Sequence, residues 1–564
     1  MNQKIENILN VSLAATKDEL RNSDSLNTGF DWKNNTWETI VKYSGSLDAI
    51  RSRYNVYIKE MLYNYAIVAA DKNTIELISQ ENNIEYIEKP KSIYYQLEQA
   101  KSAACVRNVL SGFNGGNTQY LSGKGVITAV IDTGTDIYNE EFRNADGSTR
   151  ILNIYDQTIQ KEYNADEINV LLGQNGGTRP AEDNAEHGMD VAIIACGRSG
   201  VAYESDIIIV KMGYSYNNQF PRTTSLMDAI DYVIRKSMEY DKPVAINISY
   251  GSNYGDHRGN TLLEGYINAA ALGYKCSICI GSGNEADKAI HYSSAIKNGQ
   301  TQTAEISIGE YESSIDIQIW KYYWDDIRVV LISPEGVELD IAKQGQMGRY
   351  KIGDTDVISL LGEPSPYNLY QEVYINLLPH RDFITPGVWR IQLSGSNIRQ
   401  GLYNIWLPAS EAINSSTGFL KPVSYDTITI PATAQGCISV GAYNSYTGAY
   451  AAFSGRGARQ ESSLMADIKP DILAPGVDIS IKKNTRQGIR YNKVTGTSYA
   501  TPFVTGAAAL LMQWGIILGN DRFMYGEKLK ACLRAGARPL NSMSRYPDTV
   551  SGYGTLCLTD SIRS

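Results

Sequence analysis

The chain has 564 residues, more than one ordinary domain holds, and at roughly 150 residues per domain it should divide into two to four. Hydrophobic residues make up 43% and charged residues 20%, a globular composition, and the net charge of -9 with no long basic run speaks against a nucleic-acid partner. The opening residues are mixed and polar, without an apolar run or a small-residue cleavage site, so no signal peptide is expected; no stretch of about 18 apolar residues suggests a membrane span.

Residues 36 to 90 read as a compact βαββαβ unit. Trp37 to Tyr43 alternates as a strand, Leu47 to Arg53 forms a short helix, and Tyr54 to Glu60 and Tyr63 to Ala70 are strands around a turn. Lys72 to Gln80 is a helix and Ile84 to Ile87 a closing strand. Lys89-Pro90-Lys91 marks a boundary, followed by an extended segment through Gln96 and a helix from Leu97 to Leu110.

From Gly123 strands alternate with helices. Gly125 to Asp132, Ile207 to Met212, Val244 to Ser249 and Ser277 to Ile280 are apolar runs of the kind found in a parallel sheet covered on both faces. Helices are expected over His187 to Cys196, Ser225 to Met238 and Gly259 to Leu272. This is a doubly wound α/β pattern, whose sites gather at the C-terminal ends of strands, where Asp132, Ser249 and Asn284 fall. The rhythm breaks after His291 and returns near Thr427. Between them Ile315 to Trp320, Arg328 to Ile332, Val373 to Leu377 and Trp389 to Leu393 alternate as strands, so an all-β sandwich or jelly roll is inserted. Sandwiches can bind sugars through aromatics such as Trp320, Trp324, Trp389 and Trp406, although aromatics more often fill a core. The expected division is 1–96, 97–294, 295–425 and 426–564.

The seven cysteines, Cys105, Cys196, Cys276, Cys279, Cys437, Cys532 and Cys557, are scattered and odd in number, and free, mostly buried thiols are expected. Cys276 and Cys279 have redox or metal spacing but sit on a strand, where positions three apart face opposite ways, and nothing supplies further ligands. No metal site is read from the sequence; calcium is not indicated, since no loop carries a dense acidic pattern.

Gly496-Thr497-Ser498-Tyr499-Ala500-Thr501-Pro502 runs into an alanine-rich apolar helix, with Pro502 in its first turn. Taken alone, Ser498 reads as a helix cap; taken as a nucleophile, it lies beside the unpaired N–H groups and positive dipole of a helix start. Of four histidines, His187 stands at the start of a small-residue helix, and Asp132 ends a buried strand. Asp, His and Ser in that order on an α/β sheet is the subtilisin arrangement.

Asp132-Thr133-Gly134, His187-Gly188 and Gly496 to Pro502 resemble the three signature segments of the subtilisin-like serine proteases. The resemblance implies Asp132, His187 and Ser498 as the triad and Asn284, in Gly281-Ser282-Gly283-Asn284-Glu285, as the oxyanion donor. It implies Gly213, Ser215, Ser249, Tyr250, Gly251 and Gly283 as substrate-binding positions, and the βαββαβ unit as a propeptide that chaperones and inhibits. Met189 stands where the family usually has Thr, with only local effects on packing expected. More narrowly, the large β insertion, the missing signal peptide and the abundance of Tyr, Asn and Ile resemble the clostridial Csp germination proteases, the CspB branch above all.

In that group the prodomain is cleaved but stays bound, the insertion is a bracing jelly roll, and the substrate is the cortex-lytic zymogen SleC of the spore. Cleavage is expected between Gln96 and Leu97, leaving Ile93 to Gln96 in the cleft. The resemblance thus implies an endopeptidase without cofactor, made in the cytoplasm and placed in the spore. The alternatives are a germinant-sensing pseudoprotease, which some relatives without a full triad are, or a general intracellular subtilase.

Overall fold

The computed structural model describes residues 3–21, 23–91, 94–95, 104–105, 120–174, 177–213, 220–341, 346–458, 468–485, 488–540 and 546–563. Its centre is a nine-stranded sheet. Ile438–Asn444, Cys276–Gly281, Val244–Ile248, Ile127–Asp132, Asp206–Lys211 and Ile151–Asp156 lie side by side in that order, all parallel, and Ile472–Pro475 pairs parallel to the first of them. The short antiparallel strands Lys161–Asn164 and Ala449–Tyr450 are the remaining two.

The strands are apolar on both sides because both sides are covered. Val130, Ile207, Ile209, Ala245 and Cys279 point into one core, against the helices His187–Cys196 and Thr497–Met512. Ile131, Ile208, Val210, Ile246 and Cys276 point into the other, against Thr223–Glu239 and Leu262–Gly273. Cys276 and Cys279 therefore do face opposite ways, and cannot share a ligand. The helical run Thr497–Ile517 is long and apolar enough by composition to cross a membrane, yet 83% of its apolar window is buried inside this protein, where it is the core helix.

The N-terminal unit forms the expected strands and helices at Thr36–Tyr43, Asp48–Tyr54, Tyr57–Met61, Tyr65–Ala70, Lys72–Gln80 and Ile84–Glu88. Short helices at Asn7–Ala14, Lys17–Arg21 and Asp24–Asn27 precede them. One face of its sheet sits on the helices Thr223–Glu239 and Leu262–Gly273. Tyr65 meets Tyr266 edge-on at 5.3 Å, the Leu62 N–H donates to Asp231 at 2.9 Å, and Lys59 pairs with Asp228. Two carboxylates of the unit serve the helix starts, where N–H groups are unpaired and the dipole is positive. Glu88 accepts from the Leu262 N–H at 2.8 Å, and Glu38 accepts from the Thr224 hydroxyl.

The insertion is a sandwich of two antiparallel sheets around a core that includes Ile306, Ile317, Ile375, Trp389, Leu393 and Ile405. Its first strand, His291–Ala295, pairs with Leu402–Trp406, so the sandwich starts slightly ahead of residue 295. The outer face of one sheet contributes Ile358, Leu360, Tyr374 and Leu378 to the core of the N-terminal unit, beside Leu9, Leu26 and Trp37. The unit is thus clamped between catalytic helices and insertion. At that junction the Lys91 ammonium bridges Glu6 at 2.7 Å and Glu88 at 2.8 Å. Burial works against its charge, but the two carboxylates outweigh burial and raise its pKa.

Two expectations fail. Cys105 and Cys557 form a disulfide across 452 residues, so not every thiol is free; Cys196, Cys276, Cys279 and Cys437 are buried thiols, and Cys532 is a half-buried thiol outside any disulfide. The pairing follows from tertiary adjacency: the C-terminal helix Leu558–Arg563 docks on this segment, with the Thr559 hydroxyl donating to the Cys105 carbonyl at 3.2 Å. Most of the helix expected over 97–110 lies outside the described residues, but Ala104 and Cys105 form a bend, with Cys105 at φ 51°. A left-handed residue tied to the start of the C-terminal helix does not continue a helix through that point.

Candidate active site

Asp132 ends the central strand Ile127–Asp132, and His187 opens the helix His187–Cys196 on the adjoining side of the sheet. The His187 Nδ1 and the Asp132 Oδ1 are 2.6 Å apart, both side chains fully buried. Such closeness needs a helix start against a strand end, and Gly188 permits it: a Cβ there would lie 2.6 Å from the Gly134 carbonyl oxygen. The residue before His187, Glu186, is left-handed at φ 58° and makes no side-chain cap. Two groups from elsewhere take the orphan N–H groups instead. Thr133 Oγ1 accepts from Gly188 N at 2.8 Å, and Asp183 accepts from Met189 N at 2.8 Å and from the Thr133 hydroxyl at 2.8 Å. Thr133 N donates to Asp132 Oδ1 at 2.7 Å. The cap thereby locks the helix carrying His187 to the loop carrying Asp132.

Burial raises the pKa of Asp183, and the bonds from Met189 and Thr133 work against that rise. Asp183 is absent from the sequence reading because it is one acid among several between Ala181 and Glu186; only its tertiary partners single it out. Met189 packs at the same place, its sulfur accepting from Asn139 Nδ2 at 3.6 Å.

Ser498 is the second residue of the helix Thr497–Met512 and is buried; the ring of the next residue, Tyr499, meets the His187 ring edge-on at 5.3 Å. This helix too has no side-chain cap from its own N-cap residue, Gly496. Asn284, just beyond the strand Cys276–Gly281, supplies one: its Oδ1 accepts from Thr497 N at 3.0 Å and from the Thr497 hydroxyl at 3.2 Å. With the carbonyl end occupied, the amide end of Asn284 is the donor left for a ligand. Gly283 N donates to Thr497 Oγ1 at 3.3 Å, and the Ser249 hydroxyl to the Ser498 carbonyl at 3.2 Å. The structure thus brings Asp132 to His187, and Asn284, Gly283 and Ser249 to the start of the Ser498 helix.

Gly213, after the strand Asp206–Lys211, donates its N–H to Gln157 at 2.9 Å; Ser215 lies outside the described residues. Tyr250 and Gly251 pair antiparallel with Tyr95 and Tyr94, while Gln96 and Leu97 lie outside the described residues. The chain ahead of the expected cut therefore runs along the strand expected to hold substrate.

A buried Asp–His pair with a serine and an amide donor gathered at one helix start, on a parallel α/β sheet, is the constellation of a subtilisin-type serine protease. Comparison with known proteins agrees with this geometry. The Subtilase family model matches residues 123–370 and 412–554, and the Csp protease B prodomain model matches residues 3–91. The chain belongs to the subtilase family and carries a prodomain of the Csp protease B type.

Among solved structures it is similar to that of the Clostridium perfringens CspB protease, with 34% identity, a TM-score of 0.75 and coverage of 81% of this chain and 95% of that one. Among curated proteins it is 36% identical to serine protease AprX of Bacillus subtilis over 104 residues, 15% of this chain and 23% of that one. It is 22% identical to subtilisin-like protease 4 of Trichophyton rubrum over 253 residues, 43% of this chain and 55% of that one. The chain spans from about a quarter to about half the length of these curated relatives.

Proposed function

We propose that this chain is a serine endopeptidase that cuts itself between Gln96 and Leu97, keeps the severed prodomain bound, and then activates a cortex-lytic zymogen of the SleC type in the spore. His187 takes the Ser498 proton as the Ser498 oxygen attacks a peptide carbonyl; Asp132 holds the imidazole in the required tautomer and balances its positive charge. The Asn284 amide and the Ser498 N–H receive the oxyanion. The proton then passes to the leaving amine, and water frees the acyl group by the same steps in reverse. The scheme uses no cofactor and no metal.

The observation that carries the reading is the antiparallel pairing of Tyr94–Tyr95 with Tyr250–Gly251, which leads the chain toward Ser498 in the manner of a bound substrate. Retention is supported by the clamp on the prodomain, whose contacts on both sides survive a cut at residue 96. The spore substrate and location rest on likeness to the CspB protease. Mass spectrometry of the purified wild type beside Ser498→Ala tests activity and cut together. The wild type should give two co-purifying fragments, the larger starting at Leu97, and the variant one intact chain. Two fragments from Ser498→Ala would refute self-cleavage. Incubation with a SleC zymogen should give one discrete smaller product, absent with Ser498→Ala.

A further inference from the structure

Alternation along the strand Ile315–Tyr322 sends Ile315, Ile317 and Ile319 into the sandwich core and Asp316, Gln318, Trp320 and Tyr322 to the outer face of their sheet. That face is covered unevenly. Asp316, paired with Asn376, accepts from prodomain Ser25 at 2.5 Å, so this end is sealed. Next, Gln318 accepts from the Gly255 N–H at 3.0 Å, and Trp406 stacks between His257 at 4.3 Å and His291 at 4.9 Å. At the third level the cover ends. Trp320 lies opposite Asn404, which lies opposite Ser293, and Tyr322 lies opposite Tyr370.

Here the sheet face and the catalytic-domain residues Asp256, Arg258 and Asp426 enclose a solvent-open cavity of about 180 Å³. One wall is formed by the rings of Trp320, Tyr322 and Tyr370, with Tyr322 packed on Tyr370 at 4.8 Å; Trp324, which does not line the cavity, stacks on Tyr322 at 4.8 Å. The other wall is a mixture of donors and acceptors. Arg258 is neutralised by Asp426 at 2.5 Å through Nη1, and Asp256 is held in its own loop by Arg258 N at 3.0 Å and Asn260 at 2.5 Å. The indole N–H of Trp320 is buried and has no acceptor among the described residues, so Trp320 offers the cavity its ring.

We propose that this cavity binds a carbohydrate, one pyranose ring of an oligosaccharide, between the aromatic wall and the polar one. A pyranose has a C–H face that stacks on rings and a rim of hydroxyls that need donors and acceptors together, and both are present. A free anion is disfavoured because Arg258 is already paired and Asp256 adds negative charge. An extended peptide would pair along the edge strand His291–Ala295, whereas the rings of Trp320, Tyr322 and Tyr370 lie on the face of strands inside that edge. None of Asp132, His187, Asn284 and Ser498 lines this cavity, and its occupancy does not depend on protease activity.

The test is calorimetric titration of the full chain with three probes: β-1,4-linked N-acetylglucosamine tetramer, cellotetraose and maltotetraose. At least one should bind saturably with a Kd below about 1 mM. Trp320→Ala should weaken it at least about tenfold and Trp320→Phe, which keeps a smaller ring, by a smaller factor. Ser293→Trp, filling the cavity from the edge strand, should abolish it while leaving the thermal midpoint and the peptidase rate unchanged. Absence of saturable binding for all three probes overturns the proposal. So does binding unaffected by both Trp320→Ala and Ser293→Trp, or a cavity that takes free amino acids and no sugar.

Discussion

The two faces of the central sheet are built from the same alternating strands but closed in different ways. On one face every residue of the helices His187–Cys196 and Thr497–Met512 is buried, and small side chains let them touch: a Cβ at Gly506 would lie 2.8 Å from the Ala195 carbonyl oxygen. On the other face the helices Thr223–Glu239 and Leu262–Gly273 turn Asp228, Asp231 and Tyr266 outward, and the prodomain meets them through Lys59, Leu62 N–H and Tyr65. The first face is a core that cannot be opened without unfolding. The second is an interface of paired polar groups and rings between the prodomain and the sheet's helices. The helices carrying His187 and Ser498 stand on the sealed side, where geometry is held by packing, and the prodomain sits on the other.

This contrast can be attacked at four places. The largest effect is expected at Asn284, which caps the Ser498 helix: Asn284→Ala should lower kcat by about 10² to 10³. Steady-state peptide hydrolysis measures this, and a loss confined to KM would show that Asn284 only binds substrate. On the sealed face, Gly506→Val should cost about 1 to 3 kcal/mol, or more if the two helices are forced apart, because neither the Ala195 carbonyl nor the Val201 side chain, whose Cβ would lie 2.5 Å away, has room to move. Urea denaturation checks it; an unchanged midpoint would mean that this face is not tightly closed.

At the prodomain junction, burial pushes Glu372 up to about 7 from an ordinary 4.5. In the folded state it keeps its proton between those values while the unfolded chain loses it, so the wild type loses stability as pH rises from about 4.5 to about 7. Glu372→Gln removes that loss: it should match the wild type near pH 4.5 and exceed it by about 1 to 3 kcal/mol at pH 7.5. Thermal melts of both proteins across that range give the answer, and a constant difference would exclude a titrating Glu372. The smallest effect is expected at the prodomain face. Lys59 is partly exposed, and Lys59→Ala should weaken prodomain affinity by less than about 1 kcal/mol, read from exchange of labelled prodomain.

Much of this architecture is legible in the chain. Continuous apolar runs locate the parallel strands, alternation locates those of the insertion, and the helix His187–Cys196 begins and ends where the small-residue pattern does. The prodomain elements fall within a few residues of their expected places because each is short, amphipathic and bounded by turn residues. Even the differing fates of the tryptophans are encoded in phase: Trp389 is in step with core residues Ile391 and Leu393, whereas Trp320 is out of step with Ile315, Ile317 and Ile319. What faces Trp320 is not encoded locally, since Asp256 and Arg258 arrive from another domain. Asp183 was invisible for the same reason, as was the partner of Cys105.

By itself, then, the sequence determined the alternation of elements, the order of Asp132, His187 and Ser498, and the presence of a prodomain and a β insertion, because these depend on local periodicity and short motifs. The tertiary structure decided which groups cap the two catalytic helices, how Asn284 is turned, how the prodomain is clamped and which cysteines meet. Those outcomes depend on contacts between residues tens to hundreds of positions apart, and only the packed chain brings them within reach of one another.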